Sequence, residues 1–332
     1  MLLSVVIPAY NEEGNLPELL RRLRPTLDGC VEKGLILGYE IVIVNDGSRD
    51  GTWRLIGELA AADARIVGIN LSRNFGHEAA VTAGVDGARG DAVVLMDADL
   101  QDPPELIAEM VTKWRDGAEV VYAQRTMREG EPVIKKTASH LFYRLISRIS
   151  EIDIPKDTGN FRLMDRRVVE HLTKLTEYPR YTRGLVAWIG FRQESVRYRR
   201  PPRHAGTSGY NYFSLTRLAI NGITTFSTVP LTVAVWMGLC VTALAVAATF
   251  IVVLDKLFWH PDLERGIALL TCGVFALAGV QLVMLGVIGI YIGQIYRNVQ
   301  GRPVYIVGER VGAADNSLRE VKPVPTHTQV AP

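Results

Sequence analysis

A cluster of acidic side chains directly follows a short apolar run in the stretch 93–104. The run Val93–Met96 has the composition of a buried strand, and Asp97, Asp99 and Asp102 follow it before two prolines. Neighbouring carboxylates repel one another and are costly to remove from water, and a divalent cation such as Mg²⁺ or Mn²⁺ relieves both costs. Because alternate residues of a strand point to the same side, Asp97 and Asp99 can face one crevice. An ordinary solvated turn explains the same spacing, so other segments must decide between the two interpretations.

Predicted strands and helices alternate up to about residue 125. Strands are expected at Leu2–Ala9, Tyr39–Asn45, Arg65–Leu71, Ala92–Met96 and Glu119–Ala123. Helices are expected after Asn15 (a possible cap, with the apolar stripe Leu16, Leu19, Leu20, Leu23 and Leu27) and at Thr52–Ala62, His77–Ala88 and Pro104–Arg115. This alternation predicts a doubly wound, mostly parallel α/β sheet with helices on both faces.

Polar residues follow four of these strands at the points where the strands end. The clusters are Pro8–Glu12, Asn45–Ser48, Asn74–His77 and Asp97–Asp99. The carboxyl ends of parallel strands meet at one edge of a sheet, and ligands of such sheets bind there. No G-x-G-x-x-G or G-x-x-x-x-G-K-[ST] pattern follows any predicted strand, which counts against a dinucleotide-binding or P-loop module. The sequence therefore predicts a ligand site of another kind at this edge.

Two long uncharged runs, Val229–Leu254 and Gly266–Tyr296, are each long enough to span a membrane as a helix. Arginines lie before the first run and after the second, whereas acidic residues outnumber basic ones in the loop 255–265. The positive-inside rule then predicts a multi-pass protein with both termini in the cytoplasm. Four glycines of the second run are expected to let the two helices pack closely: Gly279, Gly286, Gly289 and Gly293.

The remaining composition adds a few limits. The net charge of +2 gives no indication of a nucleic-acid partner, and none is expected. Three scattered cysteines indicate no disulfide framework, and the first residues resemble a strand more than a signal peptide. The stretches 135–150 and 212–227 are amphipathic, as surface helices or helices lying on a bilayer are. The predicted division is a cytoplasmic domain (1–210), an interfacial helix (211–228), two transmembrane helices (229–257 and 266–296), a cytoplasmic return segment (297–312) and a disordered tail (313–332).

Six segments together resemble the family-two glycosyltransferases that move a sugar from a nucleotide onto a polyprenyl phosphate. The segments are SVVIPAYNEEGNL, VNDGSRDGT, LSRNFGHEAA, MDADLQDPPE, DTGNFRLMDR and RHAGTSGYN. The resemblance covers residues 3–310 and implies a GT-A-type fold. Dolichyl-phosphate mannose synthases and bactoprenol glucosyltransferases belong to this group. The two spans, with LSRNFGHEAA and RYTRG, are most similar to the bactoprenol glucosyltransferase branch.

The resemblance implies roles for individual residues. The nucleotide sugar would contact Pro8, Ala9, Tyr10, Glu12, Asp46, Asp97 and Arg203. Mg²⁺ or Mn²⁺ would be held by Asp99 and Gln101, and the acceptor phosphate by Arg125, Lys135 and Ser139. The catalytic group would comprise Asp97, Asp99 and Asp157, of which Asp157 is either a base or a residue that holds its loop. Two departures are Asn45, where many members have Asp, and Ser208-Gly209-Tyr210, where many have S-K-Y; the second leaves Arg203, or Arg199 and Arg200, to contact the diphosphate. The role of His77 is left open: it is either a residue of the site or a structural hydrogen-bonding group.

The implied reaction is an inverting transfer at the cytoplasmic face of an inner or plasma membrane, for later modification of envelope glycans. The favoured donor is UDP-glucose and the acceptor undecaprenyl phosphate; aminoarabinose, N-acetylglucosamine, galactose, or mannose from GDP-mannose remain alternatives. Relatives assemble as tetramers, so a homo-oligomer is expected. A different class, a membrane transport or flipping component that only binds its ligand, also has two spans. Neither uncharged run carries an ionisable residue of the kind that polar pathways use, which counts against that class.

Overall fold

A computed structural model describes residues 1–126, 158–178, 180–199, 229–258 and 266–312. These residues form two compact units. One unit contains the described residues up to 199 together with those from 301 onward, and the other contains two long helices. Several predicted features lie outside the described residues: the helix at 135–150, the interfacial helix at 211–228 and the tail from 313.

The first unit is built on one eight-stranded sheet with the strand order β7-β5-β6-β4-β1-β2-β3-β8. Strands β1, β2, β3 and β4 run parallel to one another, β5 and β7 pair in parallel, and β6 and β8 are antiparallel to their neighbours. The strands are β1 (Leu2–Ala9), β2 (Gly38–Asn45), β3 (Ile66–Leu71), β4 (Ala92–Leu95), β5 (Val120–Arg125), β6 (Thr158–Asp165), β7 (Gln193–Tyr198) and β8 (Val307–Val311). The prediction of a mostly parallel α/β sheet is confirmed.

Six helices accompany the sheet among the described residues of this unit. They are α1 (Leu16–Glu32), α2 (Thr52–Ala62), α3 (His77–Gly87), α4 (Ile107–Arg115, after a 3₁₀ turn at Pro104–Leu106), α5 (Arg166–Lys174) and α6 (Thr182–Ile189). The predicted apolar stripe of α1 is buried along its whole length. Asn15 lies at the N-cap position, but its side chain makes no capping bond and instead donates to Glu12 Oε2 at 2.6 Å.

Helix α3 packs closely on the centre of the sheet because it contains Gly84. A Cβ at this position would lie 2.2 Å from Val6 Cγ1 and 3.1 Å from Val44 Cγ2. Only a residue without a side chain allows the helix backbone to approach strands β1 and β2 so closely. The close contact fixes the position of the first turn of α3, which begins at His77 beside the edge where the strands end.

The second unit consists of α7 (Val229–Phe258) and α8 (Gly266–Val299). The segments Leu231–Ala248 and Leu277–Val299 have mean hydropathies of 2.2 and 1.8, and only 6% of each is buried. A core helix of similar composition would be mostly buried, so both are candidate membrane spans. Among the described residues nothing lies within 4 Å of the position of a Cβ at Gly279, Gly286, Gly289 or Gly293, so the described contacts do not support their predicted role in helix packing. Gly238 of α7 instead lies against Met284 of α8.

Candidate functional site

The polar ends of strands β1 to β4 lie at one edge of the sheet. The pairing registers align Ala9 with Asn45 and Asn45 with Asn70, and the Met96 amide donates to the Val6 carbonyl at 3.1 Å. The side chains of Asn45 and Asn70 meet there, with Asn45 Nδ2 donating to Asn70 Oδ1 at 2.7 Å. The polar clusters that follow these strands in the sequence are therefore neighbours in space.

Hydrogen bonds tie the loop after β1 to the loop after β2. Asn11 has a positive φ of 56°, a conformation that asparagine tolerates better than most residues. Its amide donates to Ser48 Oγ at 2.9 Å, and its Oδ1 accepts from the Arg49 amide at 2.9 Å. The Glu12 amide donates to Thr52 Oγ1 at 2.9 Å. These bonds make the two loops one continuous rim.

Among the residues predicted from the first loop, Tyr10 presents its side chain to solvent, with 42% of it exposed. Pro8 and Ala9 are buried in strand β1. The Glu12 carboxylate accepts from Asn15 Nδ2 at 2.6 Å. An exposed aromatic ring at a strand end provides a face on which a planar base can stack. The rim therefore presents one aromatic face, that of Tyr10, to solvent at the strand ends, while Pro8 and Ala9 stay in the buried strand.

Asp46 holds the loop after β3, a role that the sequence did not indicate. Its carboxylate is 3% exposed and accepts from the amides of Phe75 at 2.7 Å and Gly76 at 3.0 Å. Burial raises the pKa of Asp46, and the two amide bonds oppose that rise. The adjacent Gly47 has a φ of 64°, and a Cβ there would lie 2.5 Å from the backbone of Arg73. The second and third strand ends are thus locked together.

The chain turns sharply after β4. Leu100 has a positive φ of 61°, which is a strained conformation for a branched side chain. Asp99 Oδ1 accepts from the Gln101 amide at 3.1 Å and closes the turn. Asp99 is 8% exposed and Asp102 is 1% exposed. Strain of this kind persists where the surrounding contacts over-determine it, and such positions cluster at functional sites.

A buried chain of hydrogen bonds connects this turn to the end of β5. Tyr198 donates its hydroxyl to Asp102 Oδ1 at 3.0 Å, and Arg125 Nε donates to the Tyr198 hydroxyl at 3.3 Å. Burial, and then the charge of Asp97, raises the pKa of Asp102 to about 6. Burial likewise raises the pKa of Tyr198 to about 12, so its hydroxyl keeps its proton at neutral pH. Asp102, which an ordinary solvated turn would leave exposed, is instead buried and bonded.

His77, Asp97, Asn160 and Arg183 meet beside the same turn. Asn160 Nδ2 lies 2.6 Å from His77 Nε2, and Arg183 Nε donates to Asn160 Oδ1 at 2.7 Å. His77 Nε2 lies 3.6 Å from Asp97 Oδ1. That oxygen is buried and has no hydrogen-bond partner among the residues that the structure describes. Asn160 and Arg183 occur in the segments DTGNFRLMDR and RYTRG, but the sequence assigned neither of them a role.

Arg162 adds a second positive charge next to Arg183. It is 4% exposed and donates to the carbonyls of Asn160 and Gly159 at 3.4 and 3.0 Å. Burial, and then the charge of Arg183, lowers the pKa of Arg162 to about 10. Within the described ranges no carboxylate forms an ion pair with it. The charge of Glu78 opposes that fall in pKa, so the positive charge at the start of β6 is partly compensated from α3.

The residues at this edge fit a divalent cation that completes its coordination with a bound ligand. Asp99 offers carboxylate oxygens and Gln101 an amide oxygen, which are hard ligands, and the nearby Asp97 Oδ1, which has no hydrogen-bond partner among the described residues, is an atom that a cation would stabilise. In the part of the chain that the structure describes, no group of three or more His, Cys, Asp or Glu residues could hold a metal ion. Mg²⁺ is commonly bound by one or two carboxylates together with substrate phosphates, which suits this smaller set.

Four predicted site residues lie outside the described residues: Lys135, Ser139, Asp157 and Arg203. The same holds for Arg200, while Arg199 is exposed. The structure brings together the strand-end residues Tyr10, Asp46 and Asp97, and it connects Asp102 to Arg125 through Tyr198. The predicted roles of all these residues in binding and catalysis stay predictions.

Comparisons with known proteins give a consistent result. The family model for Glycosyl transferase family 2 matches residues 4–173. An uncharacterized glycosyltransferase of Bacillus subtilis is 44% identical over 95% of this chain and 96% of its own length. The SfII prophage-derived bactoprenol glucosyl transferase of Shigella flexneri is 40% identical over 92% of this chain and 97% of its own. A crystal structure of glucosyl-3-phosphoglycerate synthase from Mycobacterium tuberculosis is 20% identical, with a TM-score of 0.48 over 68% of this chain and 76% of the other.

The family match covers the sheet from β1 to β6 and every strand end described above. It includes Asp46, the turn at 97–102 and Asn160. The resemblance drawn from the six sequence segments is confirmed, and so is the GT-A-type α/β fold that it implied. The chain belongs to glycosyl transferase family 2.

Proposed function

We propose that the chain moves a sugar from a nucleotide sugar, with UDP-glucose as the favoured donor, onto the phosphate of a polyprenyl lipid. The observation that carries the proposal is the similarity to the Shigella flexneri protein, whose name gives bactoprenol as the acceptor. That similarity spans 308 residues, far beyond the family domain at 4–173, and so extends over both apolar helices. A relative that shares the helices as well as the site supports a lipid acceptor.

The connection between the two ends of the helix pair supports a membrane hairpin. Strand β8 follows α8 and pairs with β3, which precedes α7, so the chain leaves and rejoins the same sheet. Two spans in succession return the chain to its original side of a bilayer. The arginines on both flanks and the acidic loop 255–265 support a cytoplasmic position for that side.

In the proposed reaction an oxygen of the lipid phosphate attacks the anomeric carbon, and the bond from that carbon to the nucleotide diphosphate breaks. The lipid phosphate is already ionised at neutral pH, so the site needs no strong base. In-line attack inverts the anomeric configuration. Asp99 and Gln101 would hold a Mg²⁺ or Mn²⁺ ion, and such an ion would neutralise the charge on the leaving diphosphate. Arg125, held by Tyr198, would place the acceptor phosphate near the donor despite their repulsion.

The test is a donor screen with the purified full-length chain, undecaprenyl phosphate and Mn²⁺. Release of the nucleoside diphosphate is measured for UDP-glucose, UDP-N-acetylglucosamine, UDP-galactose and GDP-mannose. Release that depends on the lipid and stops with EDTA is expected, with UDP-glucose fastest. Another donor in first place would correct the sugar alone. No release with any donor would overturn the proposal and favour the ligand-binding transport class.

Two variants test the metal-binding role of Asp99 and the acceptor-binding role of Arg125 separately. Asp99→Asn should abolish turnover, and the exposed Asp116→Asn should not change it. Arg125→Ala should chiefly raise the KM for the lipid, whereas the exposed Arg89→Ala should leave it unchanged. Full activity in Asp99→Asn would refute the metal assignment, and an unchanged lipid KM in Arg125→Ala would refute the acceptor assignment.

A further inference from the structure

Tyr198 joins two parts of the candidate site that the sequence predicts separately. It is the last residue of β7 and pairs in register with Arg125, the last residue of β5. Its hydroxyl donates to Asp102 Oδ1 at 3.0 Å and accepts from Arg125 Nε at 3.3 Å. A guanidinium group has only donors, so the single hydroxyl hydrogen must point to Asp102. Both hydrogen bonds of the Tyr198 hydroxyl therefore have a fixed direction.

The surroundings of Tyr198 hold its ring in place. The residue is 6% exposed, and its carbonyl accepts from the amide and the hydroxyl of Thr126 at 2.8 and 3.0 Å. These two bonds continue the pairing of β5 with β7 one residue beyond Arg125. Because the ring is buried and its backbone is paired, the hydroxyl stays beside Arg125.

Gly159 of β6 gives the Arg125 side chain the room that it needs. A Cβ at this position would lie 2.8 Å from Arg125 Nη2, which is closer than such atoms approach one another. The guanidinium group therefore lies directly against the backbone of β6, while Tyr198 contacts it at Nε. With neighbours at two of its three nitrogens, the orientation of the group is set.

This orientation leaves one edge of the guanidinium group for a ligand. Within the described ranges Arg125 forms no ion pair with a carboxylate, and its side chain is only partly buried. Two parallel hydrogen bonds to one anion need two neighbouring N–H groups, and Nε is already bonded to Tyr198. The pair that remains is Nη1 and Nη2. A phosphate monoester presents two oxygens that match this pair, and a lysine offers no such geometry.

Asp102 connects the same tyrosine to the turn after β4. Its Oδ2 accepts from the Asp97 amide at 3.4 Å, so one carboxylate bonds both the backbone of the turn and Tyr198. The same turn carries the predicted metal ligand Asp99, which is 8% exposed. The position of Arg125 is thereby tied to the position of that turn.

We propose that Tyr198 is a positioning residue, which holds the Nη1–Nη2 edge of Arg125 ready for the acceptor phosphate at a fixed place relative to the turn after β4. Naming the anion rests on the proposed function; the orientation of the arginine rests on the contacts of its side chain. In the proposed reaction two anions must meet despite their repulsion, so an arginine that is oriented before binding lowers the cost of bringing them together. Tyr198 thus contributes to acceptor binding, and it acts only through Arg125.

Equilibrium binding of undecaprenyl phosphate to the full-length chain in detergent, without a nucleotide sugar, tests this role. Tyr198→Phe should weaken binding about tenfold, and Arg125→Ala should weaken it by more than that. The double variant should bind no more weakly than Arg125→Ala, because Tyr198 then has nothing to position. Tyr122→Phe in β5 is the matched control and should bind as the wild type does. Undecaprenol, which lacks the phosphate, should be bound equally by all these proteins.

Steady-state kinetics give a second readout, which a smaller folded fraction would not imitate. With UDP-glucose as the donor, Tyr198→Phe should raise the KM for the lipid about tenfold and leave the KM for the donor within about twofold. Partial unfolding lowers the apparent kcat and changes neither KM, so two unchanged KM values would refute the positioning role. Gly159→Ala should show the same split, because its Cβ would displace Nη2. An unchanged KM for the lipid in that variant would mean that the guanidinium group is not confined, and would overturn the proposal.

The binding results also separate this inference from the acceptor assignment on which it rests. If Tyr198→Phe binds the lipid phosphate as tightly as the wild type while Arg125→Ala does not, or if the two losses add, Tyr198 has no positioning role. If Arg125→Ala has no effect, the acceptor assignment and the positioning role both fail. Failure of the proposed function alone would appear as absent turnover with every donor while the coupled losses in binding remain.

Discussion

Replacing Tyr198 by phenylalanine is expected to destabilise the first unit in a pH-dependent way. The substitution removes one hydroxyl, which donates to Asp102 at 3.0 Å and accepts from Arg125 at 3.3 Å. Tyr198 is 6% exposed and Asp102 is 1% exposed, so water cannot replace the lost donor. Tyr122 on the adjacent part of β5 provides a matched control, Tyr122→Phe, because no hydrogen bond of its hydroxyl is found in the described structure.

The size of the effect follows from the charge on Asp102. A hydrogen bond to a charged group contributes about 1.5–3 kcal/mol, and one between neutral groups about 1 kcal/mol. The pKa of Asp102 is raised to about 6, above its unfolded value, so stability falls as pH rises through about 4 to 6. The hydrogen bond from Tyr198 limits that rise in the pKa of Asp102. Without it, in Tyr198→Phe, the pKa rises further, and the loss of stability continues to higher pH. The cost should be about 2–3 kcal/mol at pH 8 and about 1 kcal/mol at pH 5.

The assay is urea unfolding of the full-length chain in detergent, followed by intrinsic fluorescence at both pH values. A cost of about 2 kcal/mol moves the midpoint by roughly 1 M for an m-value near 2 kcal/mol/M. In an Asp102→Asn background the cost of Tyr198→Phe should fall to about 1 kcal/mol and lose its pH dependence. Equal costs at pH 5 and pH 8, or an unchanged cost in that background, would refute the reasoning.

Three further outcomes follow from single contacts. Asp46→Asn places an amide NH₂ group opposite one of the two backbone N–H donors that the carboxylate accepts from. The free energy of unfolding should fall by about 1–3 kcal/mol, seen as a lower urea midpoint. An unchanged midpoint would contradict the buried pairing. Gly84→Ala places a Cβ 2.2 Å from Val6, so it should lower the free energy of unfolding by about 1–3 kcal/mol in the same assay. Wild-type stability would mean that α3 can shift away from the sheet at no energetic cost. Tyr305→Phe removes the 2.8 Å bond to Asp86, so proteolysis near β8 should become faster; an unchanged cleavage rate would show that β8 stays docked without it.

The first four strands and four helices could be located from the sequence to within a few residues. Buried parallel strands are continuous apolar runs, and Leu3 to Ala9 of β1 are buried without exception. β8 could not be found in this way, because its sequence VGERV is short and half polar. It becomes a strand by pairing with β3, and Trp53 Nε1 donating to Glu309 at 3.1 Å adds to that docking.

Only part of the candidate site could be predicted from the sequence. The polar residues at the strand ends predicted the correct edge of the sheet, because alternating strands and helices make the strands parallel and bring their carboxyl ends together. The buried partners were not predictable, because Asp102 and Tyr198 are 96 positions apart and Asn160 and His77 are 83 positions apart. No local pattern connects residues so distant in the chain, and β6 and β7 were not recognised as strands.

The order of apolar and polar residues by itself determined the alternating fold, the two long uncharged helices and the carboxylates after β4, because these depend on periodicity and on neighbours in the chain. Tertiary structure decided how those carboxylates are used. Folding buried Asp46 and Asp102 against distant donors, left Asp97 Oδ1 without a donor from the described residues, and placed Asn160 between His77 and Arg183. The physical reason is that hydrogen-bond pairing in a desolvated site depends on which groups the sheet brings within 3 Å, and strand order sets that.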